Sequence, residues 1–192
     1  MKVGLFFGSF NPVHIGHLII ANIMAETTDL QQVWFVVSPQ NPLKPSKSLA
    51  HEFDRYDMVQ AAIEGSYHLR VTDIEFNMPR PSYTVDTLAY LSDKYPQHEF
   101  ALIIGEDNLH SLPRWKNHQV IIDNYGLYVY PRPGSDNRPA PLADHPNVHW
   151  VEAPVLAISA TFIRKLIKAE KSIKYLVPDA VREIIRNRKL YL

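Results

Sequence analysis

Short apolar runs alternate along the chain with longer stretches whose apolar residues recur at helical spacing. Short runs that end at Gly or Pro are typical of buried strands. They predict strands at Val3–Phe7, Val33–Val37, Leu69–Val71, Phe100–Ile104 and Gly126–Tyr130. The helical spacing predicts helices at Ile15–Glu26, Phe53–Ile63 and Tyr83–Leu91, and a C-terminal pair at about Ala160–Ala169 and Pro178–Arg188. Repeated strand–helix units predict an α/β fold, with a parallel sheet, helices on both of its faces and a small C-terminal helical part.

Proline-rich stretches separate several of these elements. Ser38–Lys47 predicts a loop, and residues 131–146, which carry five prolines, predict a long surface excursion rather than a domain boundary. We therefore expect residues 1–192 to form a single domain. Ligands of parallel sheets bind at the carboxyl ends of the strands. The segments that carry candidate chemistry follow predicted strand ends, and they are Gly8–His17, Ser38–Lys44 and Gly105–Asp107.

The segment Gly8-Ser9-Phe10-Asn11-Pro12-Val13-His14-Ile15-Gly16-His17 follows the first strand and opens the first helix. Main-chain N–H groups at a helix start bind anions, so the segment predicts a phosphate site. It contains neither a Walker loop nor the Gly-x-Gly-x-x-Gly fingerprint. His14 and His17 are three residues apart and would share one helix face, which Gly16 would keep open for a ligand. A metal-binding pair or two capping histidines remain alternative interpretations.

A second candidate segment lies near the C-terminus, at Ile158-Ser159-Ala160-Thr161-Phe162-Ile163-Arg164. Ser159 is a typical N-cap residue, and Thr161 offers a hydroxyl in the first turn. Arg164 can bring a fork of N–H donors to phosphate oxygens. Taken alone, the segment could equally be an ordinary helix start with an exposed arginine.

These two segments resemble the signatures of a known enzyme superfamily. GSFNPVHIGH resembles the His-x-Gly-His motif of the nucleotidyltransferases, and residues 158–164 resemble the Ile-Ser-x-Thr-x-x-Arg motif of the same superfamily. Three further segments are similar to bacterial nicotinate-nucleotide adenylyltransferases. They are Pro81–Thr84, Ile103–Asp107 with Pro113–Trp115, and Pro131–Gly134. The resemblance covers nearly the whole chain, and it implies a Rossmann-like sheet and transfer of the adenylyl group of ATP to nicotinate mononucleotide, with release of pyrophosphate.

The resemblance also implies a role for individual residues toward ATP. His14 and His17 would contact the phosphates and stabilise the departing pyrophosphate, and Arg164 would hold the triphosphate with them. Mg²⁺ is expected as a cofactor bound through the ATP phosphates, with no metal site made of protein ligands. The other residues implied at the ATP site are Gly8, Ser9, Phe10, Gly105, Asp107, Arg132, Ser159 and Thr161.

For the mononucleotide, the resemblance implies Tyr83, Thr84 and Trp115, with Trp115 stacking on the nicotinate ring. Lys44 would supply a basic contact to phosphate, in a loop whose sequence departs from the family's usual Pro-Pro-His-Arg string. The first motif departs too, because many members begin it with Gly-Gly-Thr-Phe-Asp-Pro. From the residues themselves, Ser82 is expected to be the N-cap of the helix that follows it, which would direct main-chain N–H groups at a nicotinate carboxylate.

Composition narrows the setting of this activity. The chain has no cysteine, which excludes disulfides and cysteine-ligated metals. Its apolar N-terminal run is too short for a signal peptide, and no stretch is long enough to span a membrane, so we expect a cytoplasmic protein without a membrane partner. The net charge is zero, yet residues 164–189 are strongly basic. We interpret this tail as a solvated helix face or an attractor of polyphosphate. No nucleic-acid motif accompanies it, so no nucleic-acid partner is expected.

Two other functions compete with this reading. One is a different nucleotidyltransferase of the superfamily, acting on nicotinamide mononucleotide or on phosphopantetheine. The other is a nucleotide-binding module in which His14, His17 and Arg164 bind without turnover. The sequence leaves the oligomeric state open.

Overall fold

The computed structural model describes residues 1–39, 49–134 and 140–192. Its strands are β1 (Lys2–Gly8), β2 (Gln32–Val37), β3 (Leu69–Thr72), β4 (Glu99–Gly105), β5 (Gly126–Tyr130) and β6 (Val148–Trp150). In the described part of the chain they form a 6-stranded sheet in the order β3-β2-β1-β4-β5-β6. Every neighbouring pair is parallel, so the predicted α/β fold is confirmed.

The helices cover both faces of the sheet. They are α1 (Ile15–Thr27), α2 (Glu52–Ala62), α3 (Thr84–Lys94), α4 (Glu106–Ser111), α5 (His118–Asn124), α6 (Ala160–Lys168) and α7 (Asp179–Asn187). One core cluster joins α1, α2, α6 and α7 to one face, through residues such as Met24, Met58 and Ile163. The other joins α3, α4 and α5 to the opposite face, through Leu88, Leu109 and Ile121. No helix within the described ranges is long and apolar enough to cross a membrane.

The structure adds elements that the sequence pattern did not predict. Strand β6 pairs with β5 after the proline-containing excursion, and α4 and α5 fill the interval between β4 and β5. These elements have 3, 6 and 7 residues, which is too short for a clear periodic pattern. The last helix was predicted to begin at Pro178. In the structure Pro178 is the N-cap of α7, and the helix begins one residue later.

The strand order locates the expected ligand crevice. Along the chain, β1 to β3 extend the sheet in one direction, and β4 to β6 extend it in the other. The order therefore reverses between β1 and β4. In open parallel sheets the ligand crevice lies outside the carboxyl ends of the strands at such a point. Gly8 ends β1 and Gly105 ends β4, so two of the predicted site residues lie there.

Candidate active site

The loop after β1 is held in a conformation that depends on Gly8 and Phe10. The Phe10 side chain is buried, and its backbone adopts φ 44°, in the left-handed region that non-glycine residues rarely occupy. A Cβ atom on Gly8 would lie 2.8 Å from the Phe10 ring, closer than carbon atoms can pack. Phe10 in turn packs edge-on against His17, with ring centroids 5.1 Å apart. Gly8 is therefore needed for the Phe10 ring to fold back beneath this loop.

His14 and His17 form a stacked pair at the start of α1. His14 is the N-cap and has an extended backbone. The prediction that the two residues share one helix face was therefore wrong. The rings nevertheless stack, with centroids 3.7 Å apart. The main-chain N–H of His14 donates to Nδ1 of His17 at 3.2 Å. In the neutral ring this acceptor role leaves the proton on Nε2, which is then a hydrogen-bond donor.

The environment of His14 favours its uncharged form. Only 5% of the residue is exposed, and burial, with a smaller contribution from the positive charge of Arg132, lowers the pKa of His14 to about 4. Its Nδ1 atom is buried and has no hydrogen-bond partner within the described residues. Gly16 was expected to keep a face open for a ligand, but a Cβ there would lie 3.1 Å from the His14 ring. Gly16 therefore makes room for that ring.

The start of α6 carries the second predicted motif to the same place. Ser159 is the N-cap, and its hydroxyl oxygen accepts the N–H of Phe162 at 3.2 Å, as the sequence predicted. Arg164 donates from Nη2 to the Thr161 hydroxyl at 3.3 Å, and from Nη1 to the Asn11 carbonyl oxygen at 2.8 Å. Part of the Arg164 fork therefore holds the loop after β1.

One cavity brings together the residues that the sequence assigned to ATP. It has a volume of about 430 Å³ and lies at the carboxyl ends of β1 and β4. At its rim Arg132 and Asp107 form an ion pair at 3.4 Å, and a Cβ on Gly105 would lie 2.5 Å from each of these side chains. We call it the nucleotide cavity, and its predicted lining residues are Gly8, Ser9, Phe10, His14, His17, Gly105, Asp107, Arg132, Ser159, Thr161 and Arg164.

A second cavity adjoins the first and contains the predicted mononucleotide residues that the structure describes. It has a volume of about 340 Å³ and is lined by Tyr83, Thr84 and Trp115, among others. We call it the acceptor cavity. Both cavities are lined by Phe7, Gly8, Ser9, Asn108 and Trp115. Lys44 lies outside the described residues.

The entrance to α3 differs from the sequence prediction. Tyr83 is the N-cap and Thr84 the first helical residue, so the assignment of Ser82 as N-cap was wrong. The Ser82 hydroxyl instead donates to Oε2 of Glu75 at 3.0 Å, and the Thr87 hydroxyl donates to Oε1 of Glu75 at 2.7 Å. The Ser82 hydroxyl is therefore directed at the buried Glu75 carboxylate, and α3 has no side-chain cap.

Glu75 and Arg55 were missed by the sequence analysis. Both are buried and charged, and both lie beside the cavities. Glu75 lines the acceptor cavity. Arg55 hydrogen bonds to the loops after β1 and β2. Their positions in a 3₁₀ turn and in an amphipathic helix gave no signal in the sequence, because charged residues at such positions are usually solvated.

A further cavity lies away from this site. Its volume is about 980 Å³, and it lies between the C-terminal end of α1 and strands β5 and β6, near Asp29, Tyr128 and Trp150. It is a wide surface depression and contains none of the predicted site residues. We therefore assign the chemistry to the two smaller, adjoining cavities.

Comparison with known proteins identifies the class to which this fold and site belong. Residues 5–166 match the family model described as cytidylyltransferase-like. A protein of Cytophaga hutchinsonii named probable nicotinate-nucleotide adenylyltransferase is 64% identical over 191 residues, which cover 100% of this chain and 98% of the relative. A protein of Flavobacterium johnsoniae with the same name is 50% identical, over 100% of this chain and 99% of the relative.

A solved structure gives the same fold. The nicotinic acid mononucleotide adenylyltransferase of Plasmodium falciparum, complexed with NaAD, superposes with a TM-score of 0.84 at 19% identity, covering 99% of this chain and 97% of that one. The chain thus belongs to the cytidylyltransferase-like family of nucleotidyltransferases, in the group of the nicotinate-nucleotide adenylyltransferases. The resemblance drawn from the two motifs is confirmed.

Proposed function

We propose that the protein transfers the adenylyl group of ATP to nicotinate mononucleotide, giving nicotinate adenine dinucleotide and pyrophosphate in NAD biosynthesis. The observation that carries the proposal is the pair of adjoining cavities. One is lined by phosphate-binding types of residue and the other by an aromatic side chain and a helix N-terminus. They meet at Gly8 and Ser9, so two substrates bound in them would bring their phosphates together at this wall.

The nucleotide cavity would hold ATP. Its main-chain donors would come from the start of α6, whose first N–H groups have no partner within the helix. The first N–H of α1, that of Ile15, donates to the Leu176 carbonyl at 3.0 Å, so α1 would contribute through its histidine side chains.

Gly105 ends β4, and Asp107 lies in the first turn of α4, beside Arg132. We place both on the adenosine side, as the family resemblance implies. His14, His17 and Arg164 would face the triphosphate. Bound phosphate favours the charged form of a histidine, so ATP opposes the effect that burial has on His14.

The reaction needs no general base. The 5′-phosphate of the mononucleotide is mostly ionised near neutral pH, because its second pKa is about 6. One of its oxygens attacks the α-phosphorus of ATP, a new P–O bond forms, and the bond to the β-phosphate oxygen breaks. Charge builds on the departing pyrophosphate. His17, whose Nδ1 is fixed by the His14 N–H, would donate there from Nε2 without having to reorganise.

Mg²⁺ is proposed to arrive with the ATP phosphates. The described lining residues of the nucleotide cavity include two arginines, two histidines and one carboxylate, that of Asp107, which is paired with Arg132. Such a set suits a metal ion that keeps most of its waters and binds through phosphate oxygens. When bound, the ion would supply further neutralisation of the phosphate charge.

The acceptor cavity would take the nicotinate ring and its carboxylate. Trp115 lies on the shared wall, and its Nε1 donates to the Ser111 hydroxyl at 3.3 Å, which fixes the plane of the indole ring for stacking. Thr84 supplies a hydroxyl and the first N–H of α3. The positive end of this helix favours an anion over a neutral group.

Pyrophosphate release from ATP tests the proposal. The purified protein should form pyrophosphate and nicotinate adenine dinucleotide when ATP, Mg²⁺ and nicotinate mononucleotide are all present, and neither product when the mononucleotide is left out. Nicotinamide mononucleotide and phosphopantetheine serve as parallel acceptors. A higher kcat/KM for either of them than for nicotinate mononucleotide would contradict the proposal. Absence of turnover with all three would favour a nucleotide-binding module.

A further inference from the structure

Arg55 in α2 is a fully buried cation. Its relative exposure is 0%, and among the described residues it is the largest fully buried side chain. Within the described residues it donates four hydrogen bonds, all to main-chain carbonyl oxygens. A buried arginine costs free energy unless its donors are satisfied, and a guanidinium can satisfy several carbonyls at fixed angles. The site therefore requires the planar fork of arginine.

The four carbonyl groups belong to three separate stretches of chain. Nη1 donates to Ser9 at 2.6 Å, in the loop after β1, and to Ser38 at 2.7 Å, in the loop after β2. Nη2 donates to Pro39 at 3.1 Å, and Nε donates to Ala50, just before α2, at 2.9 Å. One side chain thus fixes the positions of three backbone segments relative to each other.

These segments form walls of the two cavities. Ser9 lines both of them, and Ser38 lines the acceptor cavity. Leu49, next to Ala50, lines the nucleotide cavity. Arg55 is not among the described residues that line either cavity, so it lies behind the walls that it holds.

The bond to Ser9 has a directional consequence. In a trans peptide the C=O and the following N–H point in opposite directions. Because the Ser9 carbonyl points to the buried Arg55, the N–H of Phe10 points away from it. Arg164 holds the Asn11 carbonyl in a similar way, and the Asn11 side chain accepts the N–H of Ala50 at 3.1 Å. Two arginines from different helices therefore fix alternate peptide groups of the loop after β1.

We propose that Arg55 is a positioning residue for adenylyl transfer: its guanidinium fixes the Ser9 carbonyl, and with it the loop that both cavities share, while touching neither substrate. The inference rests on the proposed function, since it takes the nucleotide cavity to be the ATP site. The effect depends on the shape of the guanidinium, because an ammonium group cannot reach carbonyls in three segments at once.

Arg55→Lys tests the proposal, with Arg188→Gln as the matched control. Arg188 also connects to α2, through Asp54 at 2.7 Å and Asp57 at 2.8 Å, but within the described residues it forms no hydrogen bond or ion pair with the loop after β1. Both variants should be studied at a temperature where near-UV circular dichroism shows them fully folded. The measurements are kcat and KM for ATP, and the affinity for a non-hydrolysable ATP analogue.

Arg55→Lys should lower kcat/KM for ATP by about 10- to 100-fold, because small displacements of positioning groups have effects of this order. It should also weaken binding of the analogue at least threefold, whereas Arg188→Gln should change both quantities less than threefold while lowering the melting temperature. A loss of less than tenfold in Arg55→Lys, or an equal loss in Arg188→Gln, would overturn the proposal. So would failure of both Arg55→Lys and Arg55→Gln to fold, which would make Arg55 a determinant of folding only.

The same experiment separates this proposal from the proposed function. Binding of the ATP analogue does not require the acceptor. If the wild-type protein binds the analogue but does not adenylate nicotinate mononucleotide, the proposed acceptor is wrong. In that case the analogue affinities of Arg55→Lys and Arg188→Gln alone decide the role of Arg55.

Discussion

The nucleotide cavity and the acceptor cavity are built from different kinds of structure. The first lies against the central strands β1 and β4 and the starts of α1 and α6, and residues of both sequence motifs line it. The second lies against short elements, namely the 3₁₀ turn Ile74–Asn77, the start of α3 and the segment around Trp115. The contrast suggests that the first cavity performs the charge chemistry common to the family and the second selects the acceptor.

This division makes the two cavities separable by mutation. Changes in the nucleotide cavity should lower turnover or ATP binding for every acceptor in the same proportion. Changes in the acceptor cavity should alter the ratio between acceptors and leave the KM for ATP unchanged. A residue whose replacement changes both would have to act on the wall that the cavities share, as we propose for Arg55.

The largest effect is expected for His17→Ala. Removing one preorganised donor to the leaving group should lower kcat by about 10²–10³-fold. The ratio of rates with nicotinate and nicotinamide mononucleotide should stay as in the wild type, because His17 lies in the nucleotide cavity. Steady-state kinetics with both acceptors and circular dichroism provide the check. Retention of more than about a third of the wild-type kcat would remove His17 from the mechanism.

The stability of the empty protein should depend on pH through His14. Burial lowers the pKa of His14 to about 4 in the folded state, so the unfolded chain binds a proton more readily. Stability is therefore lost as the pH falls from about 6.5 to 4. The loss from this group should reach about 2 kcal/mol at pH 5.

Urea unfolding at pH 7 and pH 5 measures this loss, and the His14→Gln variant isolates it from the other histidines. The wild type should lose about 2 kcal/mol more than the variant between the two pH values. Equal losses in the two proteins would show that His14 is solvated in solution. The acceptor cavity has no histidine among its described lining residues.

The same contrast explains how much the sequence could predict. The long periodic elements and both motifs of the nucleotide cavity were predicted because strand ends, glycines and spaced histidines are local signals. Elements such as α4 and β6 are stabilised by their packing on the sheet rather than by their own pattern. The buried Glu75 could not be foreseen for a similar reason, because its partners Ser82 and Thr87 become neighbours only after the chain folds.

The acceptor cavity should favour the acid over the amide. At saturating ATP, kcat/KM for nicotinate mononucleotide should exceed that for nicotinamide mononucleotide at least tenfold, since a hydrogen bond to a charged group contributes roughly 1.5–3 kcal/mol. The Glu75 carboxylate lines the same cavity and opposes this preference, so the start of α3 must outweigh it.

Thr84→Val should reduce this preference without changing the KM for ATP. The control is the same substitution at an exposed threonine, Thr27→Val, at the end of α1. Within the described residues the Thr27 hydroxyl donates only to the Ile23 carbonyl. Rates for the amide within about threefold of the acid in the wild type would mean that stacking on Trp115 dominates recognition, because stacking does not distinguish the two rings.

The smallest effect is expected for Arg164→Lys, which keeps the charge and removes the fork. Arg164 donates to the Asn11 carbonyl and to the Thr161 hydroxyl, and we infer that its remaining donors bind the triphosphate. A lysine has one nitrogen and cannot hold the loop and a phosphate oxygen together. The KM for ATP should therefore rise about five- to tenfold, while the KM for the mononucleotide changes less than twofold. Arg182→Lys, at a half-buried arginine that is paired with Asp179 and lies outside both cavities, should change neither value. Should Arg164→Lys match the wild type in kcat and in the KM for ATP, charge alone would account for Arg164. The nucleotide cavity would then owe its affinity to the start of α6 and the histidines.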